Sequence, residues 1–169
     1  RAMQNLINIE QDDKVKAFLV TQDLKDEDYI NNHFVIMATK KGQVKKTSLE
    51  QYSRPRTNGI NAITIKEGDE LLEAKLTTGD SQVMLALKSG KTIRFEESKT
   101  RPMGRTASGV RGITLQHEKD EVIGMVAVND VETNILVVSE KGYGKRSSLE
   151  DYRITNRGGK GVKTLNITE

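Results

Sequence analysis

The sequence predicts an all-β protein in which one small unit of strands recurs about every 50 residues. Two observations support this prediction. An apolar run, a glycine turn and a cationic return strand occur three times, and no segment shows the 3.6-residue apolar stripe of an amphipathic helix. Four short strands at such a spacing are typical of a propeller blade. We therefore expect a propeller-like repeat of four-stranded blades.

Each unit opens with a hairpin whose turn contains glycine, a residue that takes a positive φ without a Cβ clash. The apolar strands at 34–39, 83–87 and 137–138 lead to Gly42, Gly90 and Gly142. The return strands then end in cations. A short polar segment such as 48–52 follows, and it predicts a single helical turn.

A glycine-containing basic loop and an acidic hairpin complete each unit. In the first copy the loop 54–59 leads to a predicted strand at 60–65, and an acidic turn at 67–70 precedes a last strand at 71–76. In the second and third copies, the strands predicted at 113–115 and 165–167 match the one at 60–65. Ahead of the first copy we expect strands at 6–9 and 15–20 and a solvated acidic loop at 23–28.

This repeat divides the chain into a partial unit at 1–32, whole units at 33–80 and 81–130, and a partial unit at 131–169. We call the last three the first, second and third units. A propeller usually has at least four blades, so these units do not close a ring. We expect a piece of a larger wheel, because both ends fall inside a unit and the N-terminus resembles neither a start nor a signal peptide. Closure through partners is the alternative.

Composition narrows the class of protein. Apolar residues make up 35% of the chain and charged residues 30%, which is a small apolar fraction for a globular core. This composition suits a protein that is built of thin layers and has a large surface. No run approaches the roughly 18 apolar residues of a membrane span. The absence of Cys excludes a disulfide framework and a thiolate metal site, and it favours a cytoplasmic chain.

Charge is sorted by position within the repeat. The second hairpin is acidic in each copy, at 12–13, 67–70 and 118–121, whereas the return strand and glycine loop are basic. Repetition places equivalent residues at equivalent radii, which predicts a basic track opposite an acidic edge. Such a track suits duplex DNA, bound through sequence-tolerant phosphate contacts because aromatic residues are scarce. An ordinary solvated surface is the alternative. The basic track comprises Lys45, Lys46, Arg54, Arg56, Arg94, Arg101, Arg105, Arg111, Lys145, Arg146, Arg153, Arg157, Lys160 and Lys163.

The loop glycines are Gly59, Gly109, Gly158, Gly159 and Gly161. They would let backbone N–H groups approach phosphate oxygens closely. The GxxxxGK[ST] pattern of a nucleotide phosphate loop is absent, as is its strand-to-helix context. The alternative is a tight strand crossing that only glycine permits, and both readings can hold together.

No catalytic residue and no metal site are predicted. Tyr52 and Tyr152 occupy equivalent repeat positions, which a packing role explains better than a catalytic one. His33 and His117 occupy unrelated positions without a recurring acid or Cys partner. The paired carboxylates at 69–70 and 120–121 recur in turns, where turn formation explains them.

Three runs resemble the C-terminal domain of the DNA gyrase A protein: I-R-F at 93–95, R-P-M-G-R-T-A-S-G-V-R-G-I at 101–113 and N-R-G-G-K-G-V-K at 156–163. The resemblance covers essentially the whole chain. It implies a β-pinwheel, a wheel of about six blades that exchange strands, of which this chain is about half. It also implies that duplex DNA bends around the basic track.

The same resemblance assigns the chain a non-catalytic role in a bacterial, cytoplasmic, nucleoid-associated enzyme. The whole type II topoisomerase would be an A2B2 assembly of the gyrase A and gyrase B proteins that introduces negative supercoils. ATP and Mg²⁺ are implied for that enzyme alone, and no cofactor is expected here. The family has a Q-R-R-G-G-K-G box, of which this chain keeps only R-G-G-K-G, at 157–161. The true box is therefore expected upstream of Arg1. The equivalent domain of topoisomerase IV and a protein-interaction propeller remain alternatives.

Overall fold

The computed structural model describes residues 10, 12–129 and 132–165. Within them the protein is all-β, with one short helix and three 3-10 turns, and the predicted fold class is confirmed. The helix is α1 (Glu27–Asn32). The strands are β1 (Phe34–Thr39), β2 (Gln43–Ser48), β3 (Leu71–Thr77), β4 (Gln82–Leu87), β5 (Lys91–Glu96), β6 (Val110–Arg111), β7 (Val122–Val128), β8 (Asn134–Val138), β9 (Gly144–Ser148) and β10 (Val162–Lys163), and the 3-10 turns are Leu49–Tyr52, Glu97–Lys99 and Leu149–Asp151.

Neighbouring units exchange strands. The first sheet has the order β3-β1-β2-β6, and its outer strand β6 comes from the second unit. The second sheet has the order β7-β4-β5-β10, and its outer strand β10 comes from the third unit. Both exchanged strands are antiparallel, with Val44 opposite Val110 and Thr92 opposite Val162. The third unit contributes a two-stranded sheet, β8-β9.

The core lies between successive sheets because side chains alternate across each strand. Ile36 of β1 packs with Val83 and Leu85 of β4, which closes the layer between the first and second units. Met84 points the other way and packs with Leu149 of the third unit. Each buried strand therefore contacts the unit before it and the unit after it.

Several predicted elements differ from the structure. The segment 23–28 was expected to be a loop, but α1 begins inside it because the Asp26 carboxylate accepts a hydrogen bond from the Tyr29 N–H at 3.1 Å and caps the helix. Residues 60–65 and 113–115 are not strands. The exchanged strand is only the pair 110–111, or 162–163 in the next copy.

The segment 15–20 keeps the expected alternation, with Ala17 and Leu19 half-buried between exposed neighbours, yet it pairs with no strand among the described residues. The predicted strand at 6–9 lies outside the described residues, as does most of the one at 165–167. In the described ranges no helix is long and apolar enough to cross a membrane.

Candidate nucleic-acid interface

The three basic loops are held next to one another by contacts between units. The Arg105 N–H donates to Gln51 Oε1 at 2.8 Å, and Thr64 Oγ1 donates to the Thr106 carbonyl at 2.6 Å, so the second loop is fixed against the first unit. Repetition makes the same link one unit further on, where Thr114 Oγ1 donates to the Gly158 carbonyl at 2.7 Å. The loops therefore follow one another along one side of the array.

Arginine side chains belong to these junctions as well. Arg157 Nη1 donates to the carbonyl of Arg111 at 2.6 Å, which brings cations of the second and third units together. Most of the predicted track remains accessible. The exposed members are Arg54, Arg56, Arg101, Arg111, Lys145, Arg146, Arg153, Lys160 and Lys163, and the half-buried members are Arg105 and Arg157.

The loop of the third unit surrounds a concave surface of about 510 Å³. Arg153, Arg157 and Lys160 line it together with Gly158 and Gly159. A concave backbone with cations at its edge can place N–H groups and positive charge against a phosphate.

Two loop glycines are strand-crossing residues. A Cβ on Gly109, at φ +94°, would lie 2.5 Å from the Val44 carbonyl oxygen, and one on Gly161, at φ +75°, would lie 2.9 Å from the Thr92 carbonyl oxygen. Each glycine stands immediately before the strand that is donated to the preceding unit. The tight strand crossing that only glycine permits is therefore confirmed at Gly109 and Gly161.

Three predicted members of the track are buried, and the prediction that they face a ligand is wrong. Lys46 Nζ lies 3.1 Å from Glu97 Oε1 in an ion pair between the first and second units. The Arg94 guanidinium donates to the carbonyls of Leu149 and Tyr152 at 2.7 and 2.8 Å, between the second and third units. These cations join units instead of facing solvent.

Lys45 is the third buried cation. Its ammonium donates to the carbonyls of Ala62, at 2.5 Å, and Arg105, and to the Tyr52 hydroxyl at 3.3 Å. Burial, followed by the charge of Arg105, lowers the pKa of Lys45 to about 8. Burial also raises the pKa of Tyr52, whose hydroxyl donates to the Ala62 carbonyl at 2.9 Å. The cluster fixes the first loop to the second.

The burial of Lys46 was not predicted, although the sequence contains a pattern that indicates it. The period of two along β2 places Lys46 on the same face as Val44, which is a core residue. The partner of Lys46 is the buried carboxylate of Glu97, which also accepts from Thr77 Oγ1 at 2.7 Å. Glu97 is distant from Lys46 in the sequence, so the sequence alone showed no partner for this cation. The adjacent residues Lys45 and Lys46 were therefore predicted to be exposed.

The acidic turns pack against the tips of the first hairpins. The Asp69 carboxylate accepts from the Lys41 N–H at 2.9 Å, and Glu70 forms ion pairs with Lys16 at 2.9 Å and Lys40 at 3.2 Å. The hydrogen bond from Lys16 and then that from Lys40 lower the pKa of Glu70. At the hairpin tip of the first unit, Lys40 is therefore paired with the acidic edge through its side chain, and Lys41 is held to it through its backbone N–H.

The remaining candidates have structural surroundings. Tyr152 is buried beside Met84 and Leu149. His33 lies near α1, with Nδ1 2.7 Å from the Tyr29 carbonyl oxygen, whereas His117 is exposed in an acidic turn. Among residues 10, 12–129 and 132–165 no three His, Cys, Asp or Glu residues form a group that could hold a metal ion.

Strand exchange between repeated sheets, together with a row of basic loops, defines a propeller-type domain with a cationic edge. A family model described as the DNA gyrase C-terminal domain, beta-propeller, matches residues 33–78, 83–129 and 133–169. The chain belongs to this family. The DNA gyrase A protein of Staphylococcus aureus strain NCTC 8325 is 46% identical over 98% of the chain, and the chain spans 18% of that relative's length.

Solved structures agree with this assignment. The C-terminal domain of DNA topoisomerase IV superposes with a TM-score of 0.85 at 26% identity, covering 96% of this chain and 49% of that one. The DNA gyrase A C-terminal domain superposes with a TM-score of 0.82 at 23% identity, covering 96% of this chain and 52% of that one, which is a likeness of fold. The strand-exchanging fold expected from the resemblance is thus confirmed.

Proposed function

We propose that this chain is a DNA-binding part of the wrapping domain of a type II topoisomerase of the gyrase A kind. One observation carries the proposal: loops from three successive units lie side by side, and each carries accessible arginines or lysines. A row of cations at the spacing of one unit can follow the phosphates of a duplex. The family of the chain supports the same interpretation.

The ligand proposed here is duplex DNA of any sequence. Phosphate contacts position a protein on DNA without reading bases, and the exposed members of the track are Arg and Lys, which suit phosphate. The working surface is the basic track without Lys45, Lys46 and Arg94. Arg101, Arg105, Arg111, Arg153, Arg157 and Lys160 are its central members.

We further propose that the array bends the duplex. Successive loops belong to sheets that pack face against face, so a duplex that contacts all three loops follows the arrangement of the units. Bending costs on the order of 1–6 kcal/mol for a 20–30 base-pair site, which phosphate contacts would have to offset. A donor–acceptor pair on the duplex ends would approach on binding; an unchanged distance would contradict bending.

The proposed chain has no catalytic role of its own. DNA cleavage, ATP and Mg²⁺ would belong to other parts of the whole enzyme, in which the partners are the rest of the gyrase A protein and the gyrase B protein. A bacterial, cytoplasmic and nucleoid-associated location goes with this assignment. Identity of 46% to a gyrase A protein favours gyrase over the topoisomerase IV alternative. The solved domains do not separate the two, since this chain is 26% identical to the topoisomerase IV domain and 23% identical to the gyrase A domain.

Electrophoretic shifts of a long and a short mixed-sequence duplex, measured across a salt series, test the binding proposal. We expect affinity to fall with salt, with a log–log slope near −0.9 for each phosphate neutralised, and to be equal for duplexes of unrelated sequence. The longer duplex should bind more tightly because it reaches more loops. A shallow slope, or no affinity for mixed-sequence DNA, would instead favour a protein-interaction module.

A further inference from the structure

A buried ammonium group lies at the junction between the first two units. The Lys45 side chain is fully buried, and its Nζ donates to the Ala62 carbonyl at 2.5 Å and to the Arg105 carbonyl. It also donates to the Tyr52 hydroxyl at 3.3 Å. All three acceptors are neutral oxygens, and in the part of the chain that the structure describes no carboxylate forms an ion pair with Lys45. Since buried charges are usually paired, this one is unusual in having hydrogen bonds but no counter-ion.

The ammonium group fixes the backbone of one arginine of the basic track. The Arg105 carbonyl accepts from Lys45, and the Arg105 N–H donates to Gln51 Oε1 at 2.8 Å. Two side chains of the first unit therefore hold both backbone polar groups of a single residue in the second loop. Every hydrogen bond that Arg105 makes within the described ranges uses its backbone. The guanidinium group of Arg105 is consequently available to a phosphate while the backbone that carries it is fixed.

The equivalent arginine of the third loop, Arg157, is held in a different way. Its Nη1 donates to the Arg111 carbonyl at 2.6 Å, and its Nε donates to the Lys99 carbonyl at 3.4 Å. The guanidinium group of Arg157 is therefore itself part of the contact between units. Arg105 and Arg157 occupy the same place in the repeat, but only Arg105 has a guanidinium group that the junction does not use.

One difference between the units accounts for the two arrangements. Lys45 lies opposite Met37 in the first sheet, and Ile93 lies opposite Leu85 at the same register of the second sheet. Ile93 is a core residue whose side chain has no hydrogen-bond donor. The later junction thus has no buried ammonium group and uses the arginine of its own loop instead.

The surroundings of Lys45 oppose its protonation. Burial, and then the charge of Arg105, lowers the pKa of Lys45 to about 8. Tyr52 of the 3-10 turn is the other titratable group that faces it, and burial raises the pKa of Tyr52. Met37 of β1 and the Ala62 carbonyl carry no charge. A phosphate bound at Arg105 would offset the like charge and favour the protonated ammonium group.

We propose that Lys45 is a positioning residue for DNA binding, which holds Arg105 against a phosphate in its protonated form, so that duplex binding is coupled to protonation of Lys45. This role rests on the proposed DNA-binding function and identifies a residue pair through which the first two units act on the same ligand. The proton that Lys45 takes up on binding comes from the solvent and is held by the Nζ lone pair. It restores the donor to the Arg105 carbonyl, while the phosphate balances the added charge.

Proton linkage gives the direction of the effect. Well below pH 8 the free protein already carries the proton on Lys45, so binding takes up none. Above about pH 8 the free protein has lost this proton, and the DNA complex retains it until the higher pKa of the bound state is passed. Affinity for DNA should therefore fall as pH rises from about 8, by at most about tenfold per pH unit for one coupled proton.

Isothermal titration calorimetry of the 169-residue chain with a mixed-sequence duplex, at pH 8 in Tris and in HEPES, measures the proton uptake. The dependence of the observed enthalpy on the ionisation enthalpy of the buffer gives the number of protons bound. We expect about 0.5 proton per wild-type chain, because a group is half protonated at its pKa. Lys45→Met should remove this uptake and weaken binding at neutral pH by about fivefold or more. Lys119→Met, which removes an exposed ammonium group outside the basic track, should change neither.

A double-mutant cycle distinguishes positioning of Arg105 from a general loss of structure. If Lys45 acts through Arg105, Lys45→Met should cause little further loss of affinity in a chain that already carries Arg105→Gln. Arg105→Gln alone should also remove most of the proton uptake at pH 8, because it removes both the like charge and the phosphate contact. In a chain that carries Arg157→Gln, the matched change at the next junction, Lys45→Met should cause its full loss.

The outcomes separate this role from the proposed function. Salt-dependent binding of the wild type without proton uptake at pH 8 would overturn the role of Lys45 and leave the DNA-binding proposal intact. No affinity for the duplex would overturn both. Additive losses from Lys45→Met and Arg105→Gln would contradict positioning. If circular dichroism shows that Lys45→Met has failed to fold, the wild type and Arg105→Gln decide, and equal proton uptake by the two would contradict the coupling.

Discussion

The same repeat position has different surroundings in the first two units and in the third. Lys46 and Arg94 are 4% and 7% exposed and reach the following unit, whereas Arg146 is exposed on β9. All three positions carry a cation, but their environments differ. Whether a cation in this repeat joins units or faces solvent therefore depends on whether a following sheet covers it.

The glycine loops differ from the return strands in this respect. Arg101 and Arg153 hold equivalent places in the second and third loops and are exposed in both. The loop cations are thus exposed or half-buried, whereas Lys46 and Arg94 of the return strands are buried where a following unit packs on them. The exposed loop cations are therefore accessible to a ligand, whereas Lys46 and Arg94 join neighbouring units.

The largest expected difference concerns the buried ion pair. Lys46→Ala should destabilise the folded state by about 3–5 kcal/mol, because it leaves the Glu97 carboxylate buried and uncompensated. Arg146→Ala, at the equivalent position, should change the free energy of unfolding by no more than about 0.5 kcal/mol. Urea titrations of the two variants and the wild type give both values. Equal losses would contradict the assignment of different roles.

The crossing glycines provide the next comparison. Gly109→Ala should cost about 3 kcal/mol, because a Cβ 2.5 Å from the Val44 carbonyl oxygen forces the strands apart and a positive φ adds strain. Gly59→Ala should cost only the strain of a positive φ, about 1–2 kcal/mol, because its Cβ would meet nothing within 4 Å. Thermal unfolding of the two variants under one set of conditions measures the difference. A Gly59→Ala variant as unstable as Gly109→Ala would show that its surroundings are equally crowded.

A smaller effect is expected in the pH dependence of stability. The pKa of Lys45 is lowered to about 8 in the folded state, so above pH 8 the unfolded chain binds more protons at this position than the folded chain. Stability should therefore rise with pH from about 8, until titration of Tyr52, whose folded pKa is raised, opposes the rise.

Melting temperatures between about pH 7.5 and 10 check this expectation. The melting temperature of the wild type should rise relative to that of Lys45→Met as pH increases. The matched variant Lys145→Met should follow the wild-type curve because Lys145 is exposed. Parallel curves for wild type and Lys45→Met would show that the ammonium keeps its proton in the cluster.

Much of the fold could be predicted from the sequence because short-range patterns encode it. The apolar runs of β1 and β4 and the turn glycines define the hairpins without reference to the rest of the chain. The start of α1 was missed because an acidic stretch suggested solvent, although Asp26 is a good N-cap residue. The exchanged strands were misplaced, because the pairs 110–111 and 162–163 that reach the neighbouring sheet come before the apolar runs 113–115 and 165–167 that were predicted to be strands.

The candidate site was predicted less completely than the fold, for a physical reason. A loop arginine such as Arg101 can be predicted to be exposed from its place in a loop that contains glycine, because loops lie at the surface. Lys45 and Arg94 could not be assigned in this way, since their acceptors include backbone carbonyls contributed by distant segments. Backbone carbonyls carry no sequence signature, so only the assembled structure reveals that these cations are satisfied.

The salt dependence of DNA binding, compared between two triple variants, tests most directly whether the loop cations bind phosphate. Arg101→Gln, Arg105→Gln and Arg111→Gln together should lower the magnitude of the log–log slope by about 2.7, at roughly 0.9 for each phosphate no longer neutralised, on every sequence alike. Lys40→Gln, Lys41→Gln and Lys119→Gln remove the same charge from the acidic edge and should leave the slope near the wild-type value. Equal slopes for the two variants, or a reduction confined to one DNA sequence, would contradict the account.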